Sequence, residues 1–306
     1  MKISFRKLIP IVAAIGFTFA SGAQAQTVGS TFNVKDAAGN VVAANATSLD
    51  WNQQGSGVAI GVGPYGKSFT AGDSFQFLYQ ANLVAANTPI TGLDATSNGK
   101  ADPNAKFEYT IVAKLQETVT DVTNSANGYQ TARFGVGGTN ATNKVAIYYD
   151  SAMNANTATG TGFDDGTLIA LLTIVADGTD SFFNATPGGS TGPRGFGSAS
   201  LHAEVVEQGD FINENFLEGF NELLFGLNFE SNLNYPANSA DTVAFHSGGT
   251  NPLFPTYNVG ANDIVFKVDG SNGFDGNAVP EPGTMMLLGM GMLGLVGASR
   301  RKAKKA

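Results

Sequence analysis

Few residues of this 306-residue chain could do chemistry. Histidine occurs twice, at His202 and His246, and cysteine is absent, so thiolate metal sites, cysteine nucleophiles and iron–sulfur clusters are excluded. His202 stands beside Glu204 on the polar side of an alternating run and reads as a solvated side chain. His246 precedes Ser247, yet no Gly-x-Ser-x-Gly elbow surrounds that serine and nothing else marks an activated hydroxyl. A glycosidase needs two carboxylates defined by their separation in space, which sequence spacing does not reveal among 25 acids. Asp269, Ser271, Asn272, Asp275 and Asn277 crowd nine residues, and Asp164, Asp165, Asp177 and Asp180 make a second acidic region. Calcium takes such oxygens from flexible loops. Neither run matches an EF-hand, and Asx turns explain the same composition without an ion. Asp269, Asp275 and Asn277 are therefore the weak calcium candidates, and no other cofactor is expected. Trp51, the one tryptophan, lies among Asp50, Asn52, Gln53 and Gln54 and could stack on a sugar ring, although core packing explains it better. Asn45, Asn140 and Asn184 begin Asn-x-Thr triplets of the glycan-acceptor pattern, which chance also produces in so Asn- and Thr-rich a chain.

The elements that must position these groups are strands. From Lys106 to Thr120 the odd positions Phe107, Tyr109, Ile111, Ala113, Leu115 and Val119 are apolar, with Glu108, Thr110, Lys114, Gln116, Thr118 and Thr120 opposite. The same period runs through Phe75, Phe77, Tyr79, Ala81 and Leu83, and recurs near Val145, Leu201 and Ile264. Antiparallel sheets with one wet face fit this pattern. Leu168 to Val175 is nearly continuously apolar and reads as a central strand buried on both sides, with a buried helix as the alternative. One stretch has helical spacing: Phe216, Leu217, Phe220, Leu223, Leu224 and Leu227, weakened by Gly219 and Gly226. Gly-, Asn-, Asp- and Ser-rich runs separate these segments as turns and loops, and no repeat is visible. The expected fold is all-β: a single antiparallel β-sandwich over residues 26–269 with at most one short helix, held by its core without disulfides. Residues 270–278 read as a flexible linker.

Both ends carry processing signals. Lys2, Arg6 and Lys7, an apolar run from Leu8 to Ala20, and the small-residue site Ala23-Gln24-Ala25 describe a signal peptide over residues 1–25, cleaved by signal peptidase before Gln26. Residues 279–306 place Val279-Pro280-Glu281-Pro282 ahead of an apolar run from Met285 to Ala298 and a basic stop at Arg300, Arg301 and Lys302. As a helix that run spans about 21 Å against a hydrocarbon core of about 30 Å, which suits a transient inner-membrane anchor better than a permanent one. Setting aside the eight bases of the two ends, nine of the 17 remain against 25 acids, a charge of about −16. Nucleic acid and anionic lipid are poor partners for such a surface.

The C-terminal order resembles the PEP-CTERM sorting signal of Gram-negative bacteria. That resemblance implies processing near Pro280 to Pro282 by a membrane transpeptidase of the exosortase type, and a destination at the cell surface or in the extracellular matrix. Gly55-Ser56-Gly57-Val58-Ala59, Gly63-Pro64-Tyr65-Gly66 and Phe75 to Ala81 are similar to the flocculation-associated group of these proteins. That second resemblance implies a non-catalytic protein that works with exopolysaccharide in flocs or biofilm. A secreted carbohydrate-binding module and a glycoside hydrolase are the alternatives.

Overall fold

A computed structural model describes residues 31–62, 69–124, 130–185, 195–220, 223–229 and 242–273. The expected signal peptide, its cleavage site and the sorting tail lie outside these residues, as do 274–278 of the expected linker.

In chain order the strands are β1 (Phe32–Lys35), β2 (Val41–Ala46), β3 (Ser48–Trp51), β4 (Gly55–Ala59), β5 (Ser74–Ala86), β6 (Glu108–Asn124), β7 (Gln130–Val136), β8 (Lys144–Asp150), β9 (Thr167–Ala185), β10 (Gly195–Glu204), β11 (Phe211–Ile212), β12 (Leu217–Glu218), β13 (Leu223–Phe229), β14 (Ala244–Phe245), β15 (Tyr257–Asn258) and β16 (Ile264–Gly273). All named pairs are antiparallel.

The large sheet returns on itself. β5 pairs with β6, β6 with β7, β7 with β9, β9 with β10, β10 with β13, β13 with β16, β16 with β4, and β4 with β5. Two lanes are made of strands laid end to end. β7 and β8 share the lane between the long strands β6 and β9, while β3 and β4 share the lane between β5 and β16. The two layers of the expected sandwich are thus joined at both edges, and an eight-lane closure is wide enough for side chains to fill it. Closure leaves the large sheet without a free outer edge among the described residues, which removes a template for pairing with other chains. The interior is one apolar cluster that includes Trp51, Tyr79, Leu83, Ile111 and Leu172. Trp51 is a core residue, fully buried.

A small sheet, β12–β1–β2, closes one end of the barrel. Phe32 and Phe220 meet edge to face, Phe216 packs on Tyr149, and the Tyr109 hydroxyl donates to the Lys35 carbonyl.

Three expectations change. The helical spacing at Phe216 to Leu227 belongs to β12 and β13, the latter paired on both sides by β10 and β16. Leu223, Phe225, Leu227 and Phe229 also alternate, and two strand ladders outweigh a helix interrupted by Gly219, whose φ is +82°. The last strand runs on to Gly273, so Gly270–Gly273 are ladder rather than tether. The face expected to be wet is covered in part, because Gln80, Asn82, Glu108 and Thr110 are buried. Their cover is an outer layer built from the loop 151–166 and the β14–β15 region. Phe163 and Phe254 join Val112, Tyr148 and Leu171 in one cluster, and Phe245 joins Val58, Leu78 and Val265 in another.

The long apolar run does form a strand buried on both sides. Within β9, Ile169 and Leu172 belong to the interior cluster and Leu171 to the outer one.

Candidate functional site

Two concavities lie against the same pair of strands. The first is at the barrel end away from the small sheet, a small cavity of about 30 Å³. Phe69, Phe75 and Phe134 form one wall, with ring centroids 5.3–6.5 Å apart. Phe77, Phe183 and Phe266 form another, with Phe266 5.7 Å from Phe183 and 6.2 Å from Phe77. Between them stands Glu117, only 8% exposed, accepting a 2.7 Å hydrogen bond from Ser181 Oγ. Burial pushes the Glu117 carboxyl up to about 7, against the opposing effect of the Ser181 bond. Alternation along β6 aims residue 117 inward with Leu115 and Val119. A carboxyl there breaks the apolar series, a signal that the reading of the sequence passed over.

The second concavity is a polar groove of about 570 Å³, open to solvent, on the outside of the barrel. Asn52, Gln54, Ser56 and Lys267 supply its floor; Asn98, Asn156 and Thr157 supply its rim. The rim loops are tied to each other, Gly99 N donating to Ala155 O at 2.8 Å and Thr157 N to Ser97 O at 3.0 Å. They are tied to the barrel by Asn52 Nδ2 donating to Ala95 O and Asn82 Nδ2 to Thr96 O. Ser56 and Thr242 share a hydroxyl hydrogen bond of 2.9 Å. Side-chain carbonyls of Asn98 and Asn156 accept from loop backbone N–H groups, and Gln54 Oε1 accepts from Lys267 Nζ at 3.0 Å. The groove thus offers fixed amides and hydroxyls with one cation, and no Asp or Glu among the described residues that line it.

The outer layer holds buried polar groups of its own. Glu108 accepts from Asn154 N at 2.8 Å and Ala155 N at 3.2 Å, and burial pushes it up to about 8. Thr110 Oγ1 donates to Phe163 O, and Lys114 Nζ to Leu253 O. Asp164 is buried against Gly249 with neither carboxylate oxygen hydrogen-bonded, and burial pushes it up to about 6. His246 is buried between Phe245 and Phe254, and its Nε2 lies 3.2 Å from Tyr79 O. Its backbone N–H donates to Gln80 Oε1, and burial lowers the imidazole to about 4. These contacts make His246 a fastening of the β14–β15 region, and Ser247 N is spent on Gly160 O.

Of the other sequence candidates, Asp269, Ser271 and Asn272 sit on β16 in ladder register with β13, so they are not a flexible calcium loop; Asp275 and Asn277 lie outside the described residues. Asp164 is buried, while Asp165, Asp177 and Asp180 are exposed, with Asp180 paired to Arg133. No group of three or more His, Asp or Glu side chains converges on a metal position among the described residues. His202 is half-buried rather than fully solvated, its Nδ1 3.2 Å from Asp177 O.

A family model for the PEP-CTERM protein-sorting motif matches residues 278–302. No curated protein and no solved structure matches the chain. The matched segment contains Val279, Pro280, Glu281, Pro282, the apolar run and Arg300 to Lys302. It marks a protein that is exported and sorted by an exosortase to the cell surface.

Proposed function

We propose that this exported protein holds exopolysaccharide in its polar groove and so promotes flocculation or biofilm cohesion, without turning over a substrate. The observation that carries the reading is the groove's chemistry. Sugar hydroxyls are met by fixed amide and hydroxyl groups, and Gln54, Asn98 and Asn156 supply both donors and acceptors at the surface of a rigid barrel. A neutral polymer also avoids the repulsion that a surface of about −16 exerts on anions. Hydrolysis of a glycosidic bond calls for a pair of carboxylates across the cleft. The described lining of the groove has none, which supports retention over cleavage.

Signal peptidase acts before Gln26 in this reading, and the tail anchors the chain in the inner membrane until the exosortase processes it near Pro280 to Pro282. Deleting the gene and scoring floc or biofilm formation alongside total exopolysaccharide tests the role. The expected result is dispersed growth with polymer still produced; normal flocs from the deletion strain would end the proposal.

A further inference from the structure

We propose that Lys144 and Asp210 join in an intramolecular amide, a self-formed cross-link between β8 and the turn before β11, with Glu207 carrying a proton of the reaction. Of the ion pairs among the described residues, this one alone is shut away at both ends, its two side chains being 4% and 1% exposed. Every other pair has one partner exposed by 37% or more. Taking both charges out of water carries a desolvation cost that packed apolar residues at the same two positions would avoid.

The arrangement is that of a nucleophile held against an acyl carbon. Lys144 Nζ lies 2.6 Å from Asp210 Oδ1. With a carbon–oxygen bond of about 1.2 Å, the nitrogen is then no more than about 3.8 Å from Cγ, close to the about 3–3.5 Å of a near-attack pair. Thr173 Oγ1 accepts a second N–H of Lys144 at 2.6 Å, and Glu207 Oε2 stands 3.0 Å from Nζ. The other carboxyl oxygen of Asp210, Oδ2, accepts from Thr173 Oγ1 at 2.6 Å and from the backbone N–H groups of Val206 and Glu207 at 3.2 and 3.1 Å. Those three donors are aimed at the atom on which negative charge develops when an amine adds to Cγ.

Burial raises the Asp210 carboxyl, but hydrogen bonds from Lys144, Thr173 and the Glu207 and Val206 backbone outweigh it and hold the group below its usual range, so it rests ionised. One proton passes from Nζ to Oδ1 along their hydrogen bond and frees the nitrogen lone pair. Nζ adds to Cγ, a second nitrogen proton passes to Glu207 and on to Oδ1, and the Cγ–Oδ1 bond breaks as water leaves. One carbon–nitrogen bond replaces one carbon–oxygen bond, Glu207 ends as it began, and no oxidant or co-reactant is needed. Hydrolysis is the reverse reaction, and effective molarities of about 10⁵ M or more for groups so held exceed the concentration of water, which favours the amide. The link would tie together positions 66 residues apart and give a chain without cysteine a covalent staple that reductants do not open. The proposal does not rest on the polysaccharide groove, and either can fail alone.

The test is the intact mass of the exported protein followed by a tryptic peptide map. The expected result is a mass one water below the value for its own two chain ends, a branched peptide joining residues 144 and 210, and no cleavage after Lys144. Lys144→Arg keeps a cation beside Asp210 but offers no amine, and should retain the water. Glu207→Gln should form the link about a hundredfold more slowly. An unmodified protein at full mass would overturn the proposal, as would loss of water within a linear peptide, the mark of a succinimide at an aspartate. Both readings use the unmodified protein, so a variant that fails to fold leaves the test intact.

Discussion

The aromatic cleft and the polar groove share two strands yet differ in what a ligand would meet. On β16, Ile264 and the Phe266 ring serve the cleft while Lys267, one residue on, serves the groove; on β4, Ala59 lines one and Ser56 the other. Period-two alternation puts two chemistries on opposite faces of one wall. The supports differ as well. The cleft is walled largely by closed barrel ladder, whereas the groove's rim is loop held by side-chain and backbone hydrogen bonds. The cleft should therefore survive perturbations of the outer layer that erase the groove.

The largest effect expected from that contrast comes from Gly160→Ala. Gly160 has φ +68°, and a Cβ there would lie 1.9 Å from the Ala244 carbonyl oxygen. The loop 151–166 cannot keep its place against β14, and a loss of about 3 kcal/mol or more is expected in urea unfolding. The barrel should still unfold in one cooperative step while the groove loses polymer. Gly72→Ala is the control, with φ +94° but open space around the added methyl, and should cost about 1 kcal/mol.

Next comes pH. Glu117 and Glu108 are raised by burial to about 7 and about 8, so each contributes stability that is full below its unfolded value and lost as pH rises through the folded one. Asp164, raised to about 6, acts in the same direction. His246, lowered to about 4, acts oppositely: its contribution is present above its unfolded value near 6.5 and lost as pH falls through 4. Thermal melts should show highest stability near pH 4 to 5 and a decline from there to about pH 8, where the last of the raised acids has ionised in the folded state. Glu117→Gln should remove roughly 3 kcal/mol of that decline. A stability that rises from pH 5 to 8 would contradict this account of the buried acids.

Smaller effects separate the groove from the fold. Gln54→Ala, Asn98→Ala and Lys267→Ala should each change stability by about 1 kcal/mol or less, while together weakening polymer binding about tenfold. The smallest effect belongs to Arg133→Ala, which removes an exposed ion pair to Asp180 and should cost under about 0.5 kcal/mol.

The strands were legible because their alternation is strong from Phe107 to Leu115 and from Phe75 to Leu83. Closure was not, since nothing local tells β13 that it pairs with β16 rather than ending a sheet. The segment Phe216 to Leu227 misled because leucines spaced by three and four also fall at spacings of two in so short a run. Trp51 in the core was legible from residue type. The burial of Glu108 and Gln80 was not, because their cover comes from loops far along the chain, such as Asn154 and the backbone around His246. Glu117 was written in the sequence as the single charged residue in an inward series, and its significance emerges only when Ser181 and the phenylalanines gather around it from four other strands and a loop.

The central claim, that the groove holds polymer without cutting it, is tested most directly by cosedimentation. The exported protein and its Gln54→Ala, Asn98→Ala, Lys267→Ala triple variant are each mixed with exopolysaccharide from the producing cells, and polymer length is read before and after. The account predicts that the unmodified protein pellets with the polymer, that the folded triple variant stays in solution, and that polymer length is unchanged. Equal pelleting of the two proteins, or polymer shortened by the unmodified one, would contradict it.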